Sequence, residues 1–444
     1  MTMSIRMSLK QLQHGIVLEG YCRTECGTVP RDWTKFYLGD IYTERNEPGN
    51  ENLPLLMVSI HSGVSDGEVD EEQLTKKFKR IEDKTLYKRA ESGDLVFNMM
   101  RAWQGAVGTV RTRGMVSPAY IVAKPGDMVD PLFMNFYMRT DRMIKSIHRQ
   151  SYGVTDFRLR LYWDSFAAIP CVLPPLPEQR KIAAILATQD KVIELYERKI
   201  EQLQLLKKNC LRKMFPRHGS DTPEIRFRGF TGTWERKRLG DLFMEYAEKG
   251  RPELPALMTI QGGGTVLRDE SDRKLQYDKH SLSNYKVANK GDFIVHLRSF
   301  EGGLEIVTTP GLISPAYHVF HGKRIDSRFY YAYFRSADFI DCDLKPHVYG
   351  IRDGRSIDIE GMKTIRIPHA PFKEQQAIGN YIESFDRLIA LNQSKCDEER
   401  QKKKALMQLL LTGIVKVGEA ASCRLERAGN EAAGSRFSTR IAKV

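Results

Sequence analysis

The chain has 444 residues, which at roughly 100–200 residues per domain predicts two to four domains. Lys and Arg number 69 against 56 Asp and Glu, a formal charge of +13 that favours an anionic partner, nucleic acid or an anionic membrane surface, without choosing between them. No run approaches the roughly 18 apolar residues of a membrane span, Met1 to Gly20 lacks a signal-peptide core, and seven scattered cysteines read as reduced cytosolic thiols, so a cytoplasmic protein is expected.

Residues 1–29 form an N-terminal extension in which Cys22 and Cys26 lie four apart with no matching Cys or His pair nearby, so zinc is not expected. A globular segment, 30–176, follows. It opens on Trp33 and Leu38-Gly39-Asp40 and continues through Gly93-Asp94-Leu95-Val96, Arg101, Ser117-Pro118-Ala119-Tyr120 and Tyr152-Gly153. Short apolar runs such as Leu95-Val96-Phe97 behind a Gly-Asp turn read as strands. Periodicity does not decide whether Phe133 to Met138 is helix or strand. A long helix, 177–216, comes next, with Pro177 able to occupy its first turn.

The chain then repeats itself. Trp234 and Leu239-Gly240-Asp241 return 201 residues after their first occurrence, and Gly291-Asp292-Phe293-Ile294 returns after 198. Ser314-Pro315-Ala316-Tyr317 and Tyr349-Gly350 return after 197, and Pro371, Glu374 and Gln375 after 196. The second copy is a globular segment, 217–372, and a long helix, 373–417. In both helices apolar residues step by four and three, from Ile182 through Ile193 and Ile200 to Met214, and from Ile378 through Phe385 and Cys396 to Leu410. That is a heptad stripe, and about 39 residues at about 1.5 Å each reach roughly 58 Å. The other helix is the nearest equivalent partner. The polar seam residues Gln189, Lys207, Asn392, Glu399 and Lys403 weaken a simple zipper, and the seam does not choose parallel or antiparallel pairing. The tail, 418–444, is rich in Ala, Gly, Ser and Arg and reads as disordered. The fold class is therefore mixed, α+β or α/β: two similar globular domains, each followed by a long helix, the helices pairing as a coiled coil.

Two such domains, each closed by a Glu-Gln helix start, resemble the specificity subunit of type I restriction–modification systems. The residues that carry the resemblance are Pro174-Pro175-Leu176-Pro177-Glu178-Gln179, Pro371 to Ile378, the openings at Trp33 and at Phe227 to Trp234, and Leu409-Leu410-Leu411-Thr412-Gly413. It covers about residues 30–417, and the order and duplication of the motifs carry it rather than any one of them. The second helix start lacks the Pro-Pro-Leu-Pro run. The resemblance implies that each globular segment is a target-recognition domain reading half of a split site in double-stranded DNA. It implies that the helices set the gap, and that the chain docks two methyltransferase subunits, which restriction subunits join. It implies no active site and no cofactor in this chain, with S-adenosylmethionine, ATP and Mg on the partner subunits.

The residues agree that chemistry is missing. There is no P-loop, Gly262-Gly263-Gly264 lacks a Rossmann spacing, no Asn/Asp-Pro-Pro-Tyr/Phe motif occurs, and the ten histidines show no metal spacing. Asp269, Glu270, Asp272 and Lys274 only loosely suggest a nuclease cluster. For DNA contact the candidates are Arg101 and Gln104 in the first copy and Arg298 and Ser299 in the second, because Arg and Gln can make paired contacts to guanine and adenine edges. A structural turn is the competing reading. The segments 148–153 and 347–352, with Arg149, Tyr152, Tyr349 and Arg352, and the nearby Arg158, Arg160 and Arg355, join polar groups to Tyr and Gly and suit phosphate or base contact. The alternative function is a coiled-coil adaptor that binds protein only.

Overall fold

In a computed structural model the described residues are 17, 19–60, 63–65, 83–155, 158–270, 279–350 and 356–417. The tail 418–444 and residues 351–355, with Arg352 and Arg355, lie outside them, as do Asp272 and Lys274. The chain divides into two compact units, Met1–Glu194 with Asp397–Val444, and Leu195–Cys396. The division falls within both long helices, so each unit owns one end of each.

In the first unit a four-stranded antiparallel sheet runs in the order Tyr42–Arg45, Tyr120–Pro125, Leu95–Asn98, Val107–Thr109. Side chains alternate across a strand, and here both faces are covered. Leu95, Phe97 and Ala123 pack on Phe133 and Tyr137 of the helix Pro131–Tyr137. Val96 and Val122 face Leu56, Ala90, Val110 and Val116. The second unit repeats this: Phe243–Tyr246, His318–Gly322, Phe293–Val295, Glu305–Ile306, with Phe293 and Phe320 against the helix Ser327–Phe334 and Ile294 and Val319 on the opposite face. The segments whose periodicity was ambiguous, around Phe133 and Phe329, are thus the helices that cover the sheets. Asp130 and Asp326 cap them through side-chain oxygens, taking the Phe133 amide at 2.8 Å and the Arg328 amide at 3.0 Å.

The repeat landmarks are structural anchors. Asp94 is buried behind the positive-φ turn at Gly93, accepts the Glu91 amide at 2.8 Å and pairs with Arg45 at 2.8 Å. Its counterpart Asp292 accepts the Asn289 amide at 2.7 Å and faces His321 Nδ1 at 2.8 Å. Gln179 and Gln375 are buried at the starts of the long helices and act as matched clamps. Gln179 Oε1 accepts the Asp130 amide at 2.9 Å while its Nε2 donates to the Pro174 carbonyl at 2.9 Å. Gln375 does the same to Asp326 at 3.0 Å and Ala370 at 2.8 Å. All three positions differ by 196 between the copies.

The long helices are Leu176–Met214 and Phe372–Leu410. In the first unit Ile182 and Leu186 pack with Leu406 and Leu410, Gln189 donates to the Glu399 carboxylate, and Lys403 pairs with Asp190 at 2.5 Å. In the second unit Met214 packs with Ile378 and Ile382, and Lys207 pairs with Asp386 at 2.5 Å. As one helix advances the other retreats, so the pairing in each unit is antiparallel. The polar seam positions Gln189, Lys207, Glu399 and Lys403 are matched to hydrogen-bonding partners across the pair. Asn392 stays buried by donating to its own helix, at the Leu388 carbonyl, 2.6 Å away.

The end of the N-terminal extension, from residue 19 on, is tied in. Strands Tyr21–Thr24 and Gly27–Pro30 form a hairpin whose Cys26 and Val29 pack on Trp33 and Val172. Tyr21 donates its hydroxyl to the Gly413 carbonyl at 2.6 Å, past the end of the second long helix.

Candidate nucleic-acid interface

In the first unit the strand Leu95–Asn98 ends in a tight turn. Asn98 Oδ1 accepts the Met100 amide at 2.9 Å, and a 3-10 turn, Ala102–Gln104, closes on the positive-φ Gly105. Ala102 is buried, while Arg101 and Gln104 stand exposed on either side of it. Trp103 holds the turn down, donating its indole N–H to the Met100 carbonyl at 3.0 Å and meeting the His148 ring edge-on at 5.7 Å.

A second segment lies alongside. The Leu161 amide donates to the Met99 carbonyl at 2.9 Å, and Tyr152 and Arg160 exchange backbone hydrogen bonds of 3.1 and 2.9 Å. Gly153 is required there, since a Cβ would lie 2.2 Å from the Arg158 carbonyl oxygen. Tyr152 is 59% exposed and its ring meets Tyr162 at 5.1 Å. The fold thus brings Arg101, Gln104, Tyr152, Arg158 and Arg160, far apart in sequence, into adjoining segments. Arg149 is not among them: it lies on another flank of the helix Asp141–Gln150, beside Arg142.

In the second unit the equivalent turn is built differently. Ser299 is fully buried, and its hydroxyl accepts the His296 amide at 2.9 Å. It is a cap for the turn and is unavailable to a ligand, whereas Arg298 beside it is exposed. His296 Nδ1 accepts the Arg298 amide at 3.2 Å, and burial pushes the imidazole pKa down, which favours the neutral ring. Gly303 closes the turn with φ 82°, and a Cβ would lie 1.9 Å from the Phe334 carbonyl oxygen. Tyr349 is 60% exposed on the short pair Val348–Tyr349 and Ser356–Ile357.

Two residues absent from the sequence candidates join these turns. Met100 and Leu297 are large, apolar and exposed, and each immediately precedes the arginine. An apolar residue beside Arg at the same point of both copies is the signal that reveals them. Ser117-Pro118-Ala119-Tyr120 and its copy are turns, with the Tyr120 amide on the Ser117 carbonyl at 2.9 Å and Tyr317 on Ser314 at 3.1 Å. Among the described residues no group of three or more His, Cys, Asp or Glu could hold a metal ion, and no helix is long and apolar enough to cross a membrane.

No family model matches the chain. The type I restriction enzyme MjaVIII specificity subunit of Methanocaldococcus jannaschii is 23% identical over 423 residues, covering 88% of this chain and 94% of that protein. The chain resembles type I specificity subunits along nearly its whole length. The fold agrees. The S subunit of the type I restriction-modification system of M. genitalium superposes with a TM-score of 0.51 at 12% identity, over 85% of this chain and 96% of its own. A chain solved under the heading "Structural basis underlying complex assembly and conformational transition of the type I R-M system" also gives 0.51, at 16% identity, over 87% and 99%.

Proposed function

We propose that this chain is the DNA-reading subunit of a type I restriction–modification complex. Residues 30–176 and 217–372 each recognise one half of a split duplex site, and the paired long helices fix the gap. The chain has no catalysis of its own. It docks two methyltransferase subunits, with restriction subunits joining them. The observation that carries this reading is the pairing of a common scaffold with divergent turns. Gln179, Asp130 and Pro174 have counterparts in Gln375, Asp326 and Ala370, while Arg101-Ala102-Trp103-Gln104 is replaced by Arg298-Ser299-Phe300-Glu301. A scaffold held constant beneath varied surface turns suits two readers of different sequence. The similarity to specificity subunits supports the same reading.

In this reading Arg101, Gln104, Arg158 and Arg160 with Tyr152 form the first contact surface, and Arg298 and Tyr349, with Arg352 and Arg355, the second. Arg149, which lines a separate cleft with Arg142, belongs to neither surface in this reading. The test is duplex binding by the chain together with its methyltransferase. Affinity is expected to fall steeply with salt, as phosphate contacts release counterions, and to depend on sequence. Binding to the methyltransferase without any affinity for duplex would instead favour a protein-only adaptor.

A further inference from the structure

The first unit holds a cleft of about 500 Å³ between the hairpin of residues 21–30 and the helix Asp141–Gln150. Its lining includes Arg142, Ser146, Arg149 and Gln150 from the helix, Gly27 from the hairpin, and Tyr37. We propose that this cleft binds a small phosphate-bearing anion, separately from duplex DNA.

Arg142 and Arg149 carry the argument. Neither has a carboxylate partner among the described residues, although Arg142 is half-buried. The one acid in the lining, Glu25, is already paired with Lys35. Burial pushes the Cys26 thiol pKa up, so the cysteine adds no negative charge. At about 100° per residue, Arg142, Ser146 and Arg149 share one flank of the helix, with Gln150 beside them. The arrangement offers two forked cations, a hydroxyl and an amide, a donor set suited to phosphate oxygens. The volume lies in the range of small-molecule sites. The hairpin is shaped to the arginine: a Cβ on Gly27, whose φ is +94°, would lie 2.2 Å from Arg142 Nη2.

The flank separates this cleft from the DNA candidates. Ile144 lies against Gly105 and His148 meets Trp103, so the far side of the same helix faces the Arg101 turn. The second copy does not repeat the pair of arginines: 196 residues on, Asp338 stands at the place of Arg142, Cys342 at that of Ser146 and Lys345 at that of Arg149.

The inference stands apart from the DNA reading, and its test keeps them apart. The full chain is unfolded thermally with inorganic pyrophosphate and with chloride of equal ionic strength, and duplex affinity is measured in parallel. Pyrophosphate is expected to raise the midpoint above the chloride control. That rise should be lost in the Arg142→Ala/Arg149→Ala double variant and in Ser146→Glu, which places a carboxylate in the cleft, with duplex affinity unchanged in both. Equal midpoints in pyrophosphate and chloride for the native chain overturn the proposal. So does a variant that loses duplex affinity while pyrophosphate has no effect, since the arginines then contact the DNA backbone.

Discussion

Glu178 and Glu374 occupy the same place in the two copies, three residues after Pro175 and Pro371, yet their surroundings differ. Glu374 is fully buried, bridged by Arg226 at 2.8 and 2.7 Å, and accepts the Trp234 indole N–H at 3.0 Å. Glu178 faces Trp33, but its Oε1 and the indole nitrogen form no well-aligned hydrogen bond, and burial pushes its carboxyl pKa up despite the opposing effects of Lys416 and Trp33. The two therefore respond oppositely to neutralisation. Glu374→Gln leaves Arg226 without its counter-charge and is expected to cost about 3 kcal/mol in urea unfolding. For Glu178 the folded state holds its proton more tightly than the unfolded state. The native chain is thus relatively more stable below the ordinary carboxylate range and loses that advantage as pH rises through the raised value. Glu178→Gln should accordingly raise the unfolding midpoint at pH 7 and leave it unchanged at acid pH; a loss of stability at pH 7 would show that the charge is favourably paired. On the contact surface, Arg101→Ala and Arg298→Ala should each weaken duplex binding by about 1–3 kcal/mol if the arginine reads a base edge. A uniform loss across all sequences, measured by competition with altered duplexes, would assign it to phosphate instead.

At the scale of elements, the glutamine clamps decide how each long helix leaves its domain. Gln375→Ala strands the buried Asp326 amide and Ala370 carbonyl, at a cost of about 2 kcal/mol or more, and Gln179→Ala should do the same in the first unit. A two-stage urea transition with only the mutated unit shifted is the expected record. This role was not legible in the sequence. The Glu-Gln motif marked a helix start, but Asp130 and Asp326 lie 49 residues upstream, and only the packed fold brings them together. The repeat, the helices and their heptad stripe were legible, because period and spacing are local. The direction of pairing was not, since a heptad seam reads alike both ways. It needed contacts such as Lys403 with Asp190 and Lys207 with Asp386. Ser299 illustrates the limit at a turn. Next to Arg298 it reads as a surface group, yet the strand end uses its hydroxyl to hold the His296 amide.

For the whole molecule, the central claim is that two copies of one scaffold read two half-sequences at a set spacing. Adding one heptad to each long helix, in register, lengthens the pair by about 10 Å, or about three base pairs at about 3.4 Å each. The half-sites should then be read unchanged across a wider gap. The most direct measurement is to co-express the chain with its methyltransferase and map methylated adenines across a genome, before and after replacing residues 30–176 with those of a related chain. The account predicts a split motif with a fixed gap, of which the replacement alters one half only. Methylation at a continuous motif, or a map indifferent to this chain, would contradict it.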